Sequence, residues 1–519
     1  MPKIRRSNSD ETHNKTPTPT PSFSRSLSHD VSQVDGNLLV ERKNSFHVRP
    51  TSFCRQSSLI DKNAIQNRES DKDQPKLIQN TKQLVILIGM ALIEFSGTCG
   101  MSVIAPFFAN EAASKHASQT MVGLIFAVYP LFVFLLSPIV GKWMPRLGVK
   151  FCLIAGCFLE GGTEILFGFV EDLPSGPVFV VFCFVIRIVM AIGSALSATA
   201  SLSILTVTFK DHIGTVFGVT ELFTGLGFMA GPALGGVLYQ HGGFKMPFLV
   251  CGGLVIVVLF CVFWILPSEE SYHNDNTDGK DEELTPISQA LRIPGIAAIA
   301  VCIVTGGMAL SFFDPTLAPY LKKIDPDIQA QQIGLVFMSI AGVYMFVAPI
   351  IGYIADKSIP GRVCIIIGQF GLCIGFCFIG PSPFLEKFIP AKVWLVAVSG
   401  GFIGLAIAPF VVPTLPDMQK TGRRGGLPAT LGTDSLISGL FNGFFSIGSV
   451  LGPTIGGALS QQYSFEGAAM LFGFLFAAEG IFLGIFTLWE RNTKWGRDPP
   501  DGFQKLDEED DNDGNQVMV

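Results

Sequence analysis

Among the ionisable residues inside long apolar stretches of this chain, four stand out: Glu94, Arg187, Glu221 and Asp314. A charge at membrane depth is expensive, so each is a functional candidate by default. At about 1.5 Å of helical rise per residue, Glu94 lies roughly 16 Å into its stretch, near the midplane of a bilayer. Arg187 and Glu221 fall at similar depth, and Asp314, followed by Pro315, lies nearer the far side. Three carboxylates against one guanidinium favour a cationic ligand. A cation that competes with protons for the same acids is exchanged for them. Separated carboxylates also suit a ligand with several ammonium groups better than a single point charge. A buried ion pair between Arg187 and one acid, which only holds helices together, is the structural alternative.

The elements that position these residues follow from composition. The chain has 519 residues, 49% of them hydrophobic and 15% charged, with mean hydropathy +0.46. A soluble globule carries about 25% charge, so this chain belongs in a bilayer. Twelve apolar segments, at 83–109, 120–142, 149–170, 177–208, 212–239, 246–266, 293–321, 331–354, 362–380, 390–416, 429–459 and 465–489, are each near or above the ~20 residues needed to cross. All are expected to be helices, because only helices and closed barrels satisfy the backbone in lipid. Lys142, Arg146, Lys150, Lys357, Arg362, Lys420, Arg423 and Arg424 gather in the loops after segments two, eight and ten, with Lys322 and Lys323 the exception on the other side. That asymmetry places both termini in the cytosol.

The twelve segments are two copies of six. In ELFTGLGFMAGPALGGVLYQ, Gly227, Gly231, Pro232, Gly235, Gly236, Leu238 and Gln240 recur 221 residues later as Gly448, Gly452, Pro453, Gly456, Gly457, Leu459 and Gln461. Val122–Phe126 and Ser137–Gly141 recur 211 residues later as Ile333–Phe337 and Ala348–Gly352, and Pro106 answers Pro319. Duplication of a six-helix unit explains these offsets. The four-residue glycine spacing leaves a stripe without side chains for close helix packing, and the prolines kink their helices without ending them. The resulting division is an N-terminal tail at 1–80, a bundle at 81–267, a linker at 268–291, a second bundle at 292–491 and an acidic tail at 492–519. In a six-plus-six architecture of this kind, segments one, four, five and seven line a central cavity.

Other features carry less. Glu160 and Glu164, four residues apart in segment three, and Glu479 in segment twelve are expected at the periphery, in helix seams. The turns Gly141–Lys150 and Gly352–Arg362 read as gates, with Gly141, Arg146, Gly352, Asp356 and Arg362 as their working residues. Asp356 is answered by Pro145, so a charge relay can survive only in the second half. No phosphate cradle, metal-spaced cluster or catalytic triad stands out, so neither an enzyme nor an ATP-driven pump is expected, and no cofactor. Nothing points to nucleic acid, and the net charge of −6 owes much to the tail after Leu506. Ten of the eleven cysteines lie in apolar segments and read as packing residues, not as a disulfide frame. The polar N-terminus holds no cleavable signal peptide. Its Ser7, Ser45, Ser57 and Ser58 follow basic residues and suit phosphorylation. The acidic run Asp507–Asp513 suits a sorting determinant or a solvated tail.

From Lys82 to Arg491 the chain resembles the major facilitator superfamily, on the paired Gly-x-x-x-Gly-Pro-x-x-Gly-Gly stretches and the Gly141 and Gly352 turns. Within it the chain is similar to the vesicular amine transporters, and to their polyamine branch, on Phe107–Phe126, Ile165–Phe179, Phe312–Leu317 and Leu335–Ser339. The resemblance puts the family's transport acid of segment seven on Asp314 and its segment-four arginine on Arg187. Other family charges are replaced: the segment-two lysine falls on Tyr129, the segment-ten aspartate on Ala408, the segment-eleven aspartate on Asn442, and the first-helix aspartate near Gly97. These departures favour a polyamine over a monoamine, with Glu94, Glu221, Asp314, Tyr129 and Asn442 as the substrate set. Glu221, Asp314 and Arg187 become the proton-coupling set, and Asn442, which answers Glu221, is expected to face it across the cavity. The implied protein is a monomeric antiporter that loads spermine or spermidine into acidic vesicles, driven by a proton gradient. Two alternatives are a plasma-membrane exporter of cationic drugs or monoamines, and a non-transporting receptor or scaffold.

Overall fold

The structure is a computed structural model that describes residues 77–104, 107–266, 285–381 and 391–493. The chain divides into two units, Met1–Gln74, which lies outside the described residues, and Pro75–Val519, which holds every element below. The serines and acidic run singled out above, Cys54, Pro106 and most of the linker also lie outside the described residues.

The membrane-spanning helices are α1 (Thr81–Val103), α2 (Gln119–Leu147), α3 (Val149–Phe167), α4 (Pro177–Thr208), α5 (Ile213–Gly242) and α6 (Lys245–Ile265), then α7 (Pro294–Ser311), α8 (Ala330–Lys357), α9 (Gly361–Ile379) and α10 (Val393–Val411). A continuous run, Leu431–Arg491, follows. At 61 residues it would be about 90 Å long, three times the hydrocarbon thickness. Ser464 breaks it with φ 69° and ψ 168°, giving α11 (431–463) and α12 (465–491) and completing twelve spans. The chain is thus an all-α, multi-pass membrane protein.

Local chemistry sets the helix ends. The side chains of Asn80, Ser118 and Thr430 accept from the backbone N–H groups of Gln83, Met121 and Thr433 and so cap α1, α2 and α11. Pro177 and Pro294 open α4 and α7, where a missing N–H is harmless. One apolar segment is shorter than the sequence suggests. Segment one ends at Val103, and a separate short helix runs Phe108–Ser114. Segment seven instead spans Pro294–Ile324, with its hydrogen bonding interrupted at Phe312, whose φ −55° and ψ −38° stay helical, because Pro315 has no N–H for the Ser311 carbonyl.

Within each half, the glycine ladder seats one helix on another. A Cβ on Gly227 would lie 2.6 Å from the Phe95 carbonyl and one on Gly231 2.6 Å from the Cys99 carbonyl, and Gly235 abuts Val103, so α5 lies parallel to α1 at backbone contact. In the second half Gly448, Gly452 and Gly456 abut Val304, Met308 and Phe312 in the same way and seat α11 on α7. Between the halves, Gly141 meets the Ser435 carbonyl, Gly439 that of Ser137, Gly218 that of Ala348 and Gly352 that of Gly214. The 211- and 221-residue offsets convert the first two contacts into the last two. The halves therefore meet along two related seams, α2 with α11 and α5 with α8.

Both seams reach the end of the bundle that carries the basic loops. At the opposite end two cations are paired: Lys323 with Glu466 at 3.2 Å and Lys245 with Asp172 at 2.7 Å. Outward faces are apolar, with Phe158, Phe260, Trp264, Phe346 and Trp394 each more than 60% exposed, as lipid contact requires.

Candidate cation and proton site between the halves

Glu221 lies on α5, half-buried, and accepts a hydrogen bond of 2.6 Å from the Tyr344 hydroxyl on α8. Tyr344 is buried and belongs to the other half. Glu94 on α1 is also half-buried, beside Ser201 of α4 and within electrostatic range of Glu221 and Glu160. The parallel glycine register explains the proximity. Because Gly227 sits on Phe95, residue 226 is level with Glu94, and Glu221 lies five residues, or roughly 8 Å, below it along the axis. Two acids from neighbouring helices thus lie close together, and one of them, Glu221, is bonded across the boundary between the halves.

The remaining predicted residues are placed differently. Asn442 does not face Glu221; it donates to the Ser137 hydroxyl at 2.9 Å, on the other seam. The duplication explains this, because Asn442 occupies on α11 the place of Glu221 on α5, and each turns to its own partner helix. Tyr129 is 6% exposed and lies against Arg187 instead of opening toward Glu221. Arg187 is 3% exposed and makes no ion pair among the described residues. Its guanidinium rests on the rings of Phe126, Tyr129 and Phe167 at 5.4–5.8 Å, with Met190 Sδ at 3.6 Å. Asp314 is exposed, in the first turn of Phe313–Ile324, where the helix dipole favours an acid. Among the described residues it has no hydrogen-bond or ion-pair partner, and nothing joins it to Glu94 or Glu221. The three acids are therefore not one cluster: two stand together and the third stands beyond the interruption in segment seven.

The gate residues form two contacts. Asp356 on α8 accepts from the backbone N–H of Gly214 at 3.0 Å and of Thr215 at 2.7 Å, and from the Thr215 hydroxyl at 2.7 Å, so it caps α5 from the opposite half. Arg362 bridges Asp417, at 2.9 Å, Glu490 and the Thr421 hydroxyl, tying α9, Thr414–Arg424 and α12 together. Arg146 rests on Trp143 at 5.4 Å.

Three acids expected in peripheral seams are buried inside the halves: Glu160 at 7%, Glu164 at 1% and Glu479 at 7% exposure. Glu479 accepts from Thr305 at 2.7 Å. Sequence reasoning missed Tyr344, Ser137, Asp417 and Glu490. Tyr344, a phenol within an apolar span, was the most discoverable, since a buried Tyr hydroxyl seeks a partner.

Twelve helices in two related halves, with acids on the seam between them, describe a membrane transporter of duplicated design. Comparison with known proteins agrees. A profile of the Major Facilitator Superfamily matches residues 90–427. MFS-type transporter SLC18B1 of Mus musculus is 35% identical over 415 residues, spanning 79% of this chain and 88% of that protein. The vesicular acetylcholine transporter of Homo sapiens is 23% identical over 376 residues, spanning 70% of this chain and 64% of that one. The crystal structure of the human organic anion transporter MFSD10 (TETRAN) shares the fold, with TM-score 0.59 at 15% identity over 78% of this chain and 100% of that one. This chain belongs to the Major Facilitator Superfamily.

Proposed function

We propose that this protein is a proton-coupled antiporter that loads organic cations, polyamines such as spermine and spermidine, into acidic vesicles. The observation that carries the reading is the pairing of Glu94 and Glu221, two half-buried acids close together, one of them bonded across the boundary between the halves. The relative named for acetylcholine, itself a cation, supports a cationic cargo and a vesicular address. The polyamine assignment rests on the separation of Asp314 from that pair, which suits a long ligand with ammonium groups at several points. Cation and proton bind Glu221 in turn: the loaded carboxylate releases its cargo when luminal acid protonates it.

The test is uptake of radiolabelled spermidine into proteoliposomes with an acidic interior. Loss of uptake in both Glu221→Gln and Asp314→Asn, with protein still inserted, supports the reading. Full uptake in both rejects it. Accumulation of a monoamine but not of spermidine would leave the mechanism standing and overturn the cargo.

A further inference from the structure

A second pair of acids lies inside the first half, away from the seam. Glu160 and Glu164 are four residues apart on α3, hence on one helix face, and both point at α1. Glycine receives each of them. A Cβ on Gly97 would lie 3.1 Å from Glu160 Oε1, and one on Gly100 would overlap the Glu164 carboxyl group. Ser197 of α4 donates to Glu160 Oε2 at 3.0 Å. Glu164 Oε1 has no hydrogen-bond partner. Neither does the Nε of Arg187, a 3% exposed side chain whose charge acts on Glu164 without forming an ion pair.

We infer that Glu160 and Glu164 form a proton-binding site in the α1–α3–α4 seam. A carboxyl group at this depth without a donor needs a proton or a cation as its partner. At 1% exposure, with α1 backbone against it, Glu164 leaves no room for an ammonium group. A proton fits. The pair is not electrically isolated from the site between the halves: Glu94 lies within electrostatic range of both Glu221 and Glu160, and Glu160 acts on Glu164. The other titratable groups around the pair are Cys99 of α1, Tyr129 of α2, Cys157 of α3 itself, Arg187 of α4 and Cys251 of α6. Arg187, held by three rings instead of by an acid, is the one cation among them and favours departure of the proton. The glycines at 97 and 100 are what this site requires of α1, because any side chain there would displace the acids.

This inference rests on the antiporter reading, and the experiment separates the two. Wild-type protein and the Glu160→Gln and Glu164→Gln variants are reconstituted, and radiolabelled spermidine is followed in two assays: accumulation driven by a pH gradient, and counterflow without one. Both variants are expected to lose accumulation by about tenfold or more while counterflow stays within about twofold. Unchanged accumulation overturns the site, and so does equal loss of both activities in monodisperse protein, since that marks a structural or cargo-binding role. If the glutamine variants do not fold, Glu164→Asp, which keeps the acid, is expected to accumulate spermidine with a displaced pH profile; an unchanged profile overturns the site. Wild-type protein that shows counterflow but no gradient-driven accumulation would instead sink the proton-coupled reading itself.

Discussion

Tyr344 donates a hydrogen bond of 2.6 Å to Glu221 across the boundary between the two halves. On the other seam Asn442, which answers Glu221, donates to the Ser137 hydroxyl at 2.9 Å. One of these bonds ends on an ionisable group and the other does not. A hydrogen bond to a charged group contributes about 1.5–3 kcal/mol and a neutral one about 0.5–1.5. Tyr344→Phe is therefore expected to favour parting of the basic-loop end by about tenfold or more, and Asn442→Ala by only a few-fold. Spin-label distances between α5 and α8 measure it, and equal effects in the two variants would contradict the assignment.

The same bond fixes a direction for pH. Protonating Glu221 replaces the charge-assisted bond with a neutral one, so acid weakens closure along the α5–α8 seam. In wild-type protein the parted population should rise as pH falls. In Tyr344→Phe the dependence should flatten, because the bond is already gone. A pH response of full amplitude in that variant would show that another group controls the seam.

Asp356 is a cap supplied by the opposite half. Removing a cap costs about 0.5–2 kcal/mol, here charged to the closed state and not to the folding of either half. Asp356→Ala should thus shift the same spin-label distances with little change in melting temperature. A large fall in melting temperature with unchanged distances would assign Asp356 to folding instead.

The glycine ladder yields a steric contrast. Gly231→Val would drive a side chain into the Cys99 carbonyl and Ser102, and overpacking of this kind costs typically about 1–3 kcal/mol, and more where the obstacle is backbone. Gly236, one residue beyond Gly235, has open space where its Cβ would go, so Gly236→Val should be tolerated. Thermal unfolding in detergent compares the two, and similar losses would refute the packing account.

Arg362 engages Asp417, Glu490 and Thr421 together. Lysine carries the charge but not the planar fork. Arg362→Lys should destabilise the second half by about 1–3 kcal/mol, and Arg362→Met by more, since it strands two half-enclosed acids. Thermal unfolding of the two variants measures this; an Arg362→Lys protein as stable as the wild type would show that charge and not geometry holds the cluster.

The spans, the duplication and the glycine stripes were legible because periodicity and offsets are properties of the chain alone. What the stripes pack against was not: nothing in Gly227 or Gly231 names Phe95 or Cys99 as neighbour, since partner choice belongs to tertiary packing. Glu160 and Glu164 do face a helix seam, as one of the two sequence readings had it; which helix completes that seam was not legible, because it depends on Gly97 and Gly100 of a different helix. Asp314 was grouped with Glu94 and Glu221 by depth, yet depth along a segment does not say which side chains become neighbours. Asn442 was set opposite Glu221 on the strength of equivalence, yet equivalent residues in a two-fold arrangement meet only on its axis, and these two lie off it.

Where the halves meet, the contact is glycine on bare carbonyl: Gly141 on Ser435, Gly439 on Ser137, Gly218 on Ala348 and Gly352 on Gly214. No side chain is interposed at these four contacts, although beside them Phe217 of α5 meets the ring of Phe441 of α11 edge-on at 5.2 Å and must slide past it when the surfaces separate. Such a joint excludes water when shut, and what keeps it shut is this aromatic contact together with a handful of polar bonds. On the antiporter reading proposed above, one hydrogen ion on Glu221 would weaken one of those bonds without loosening either half.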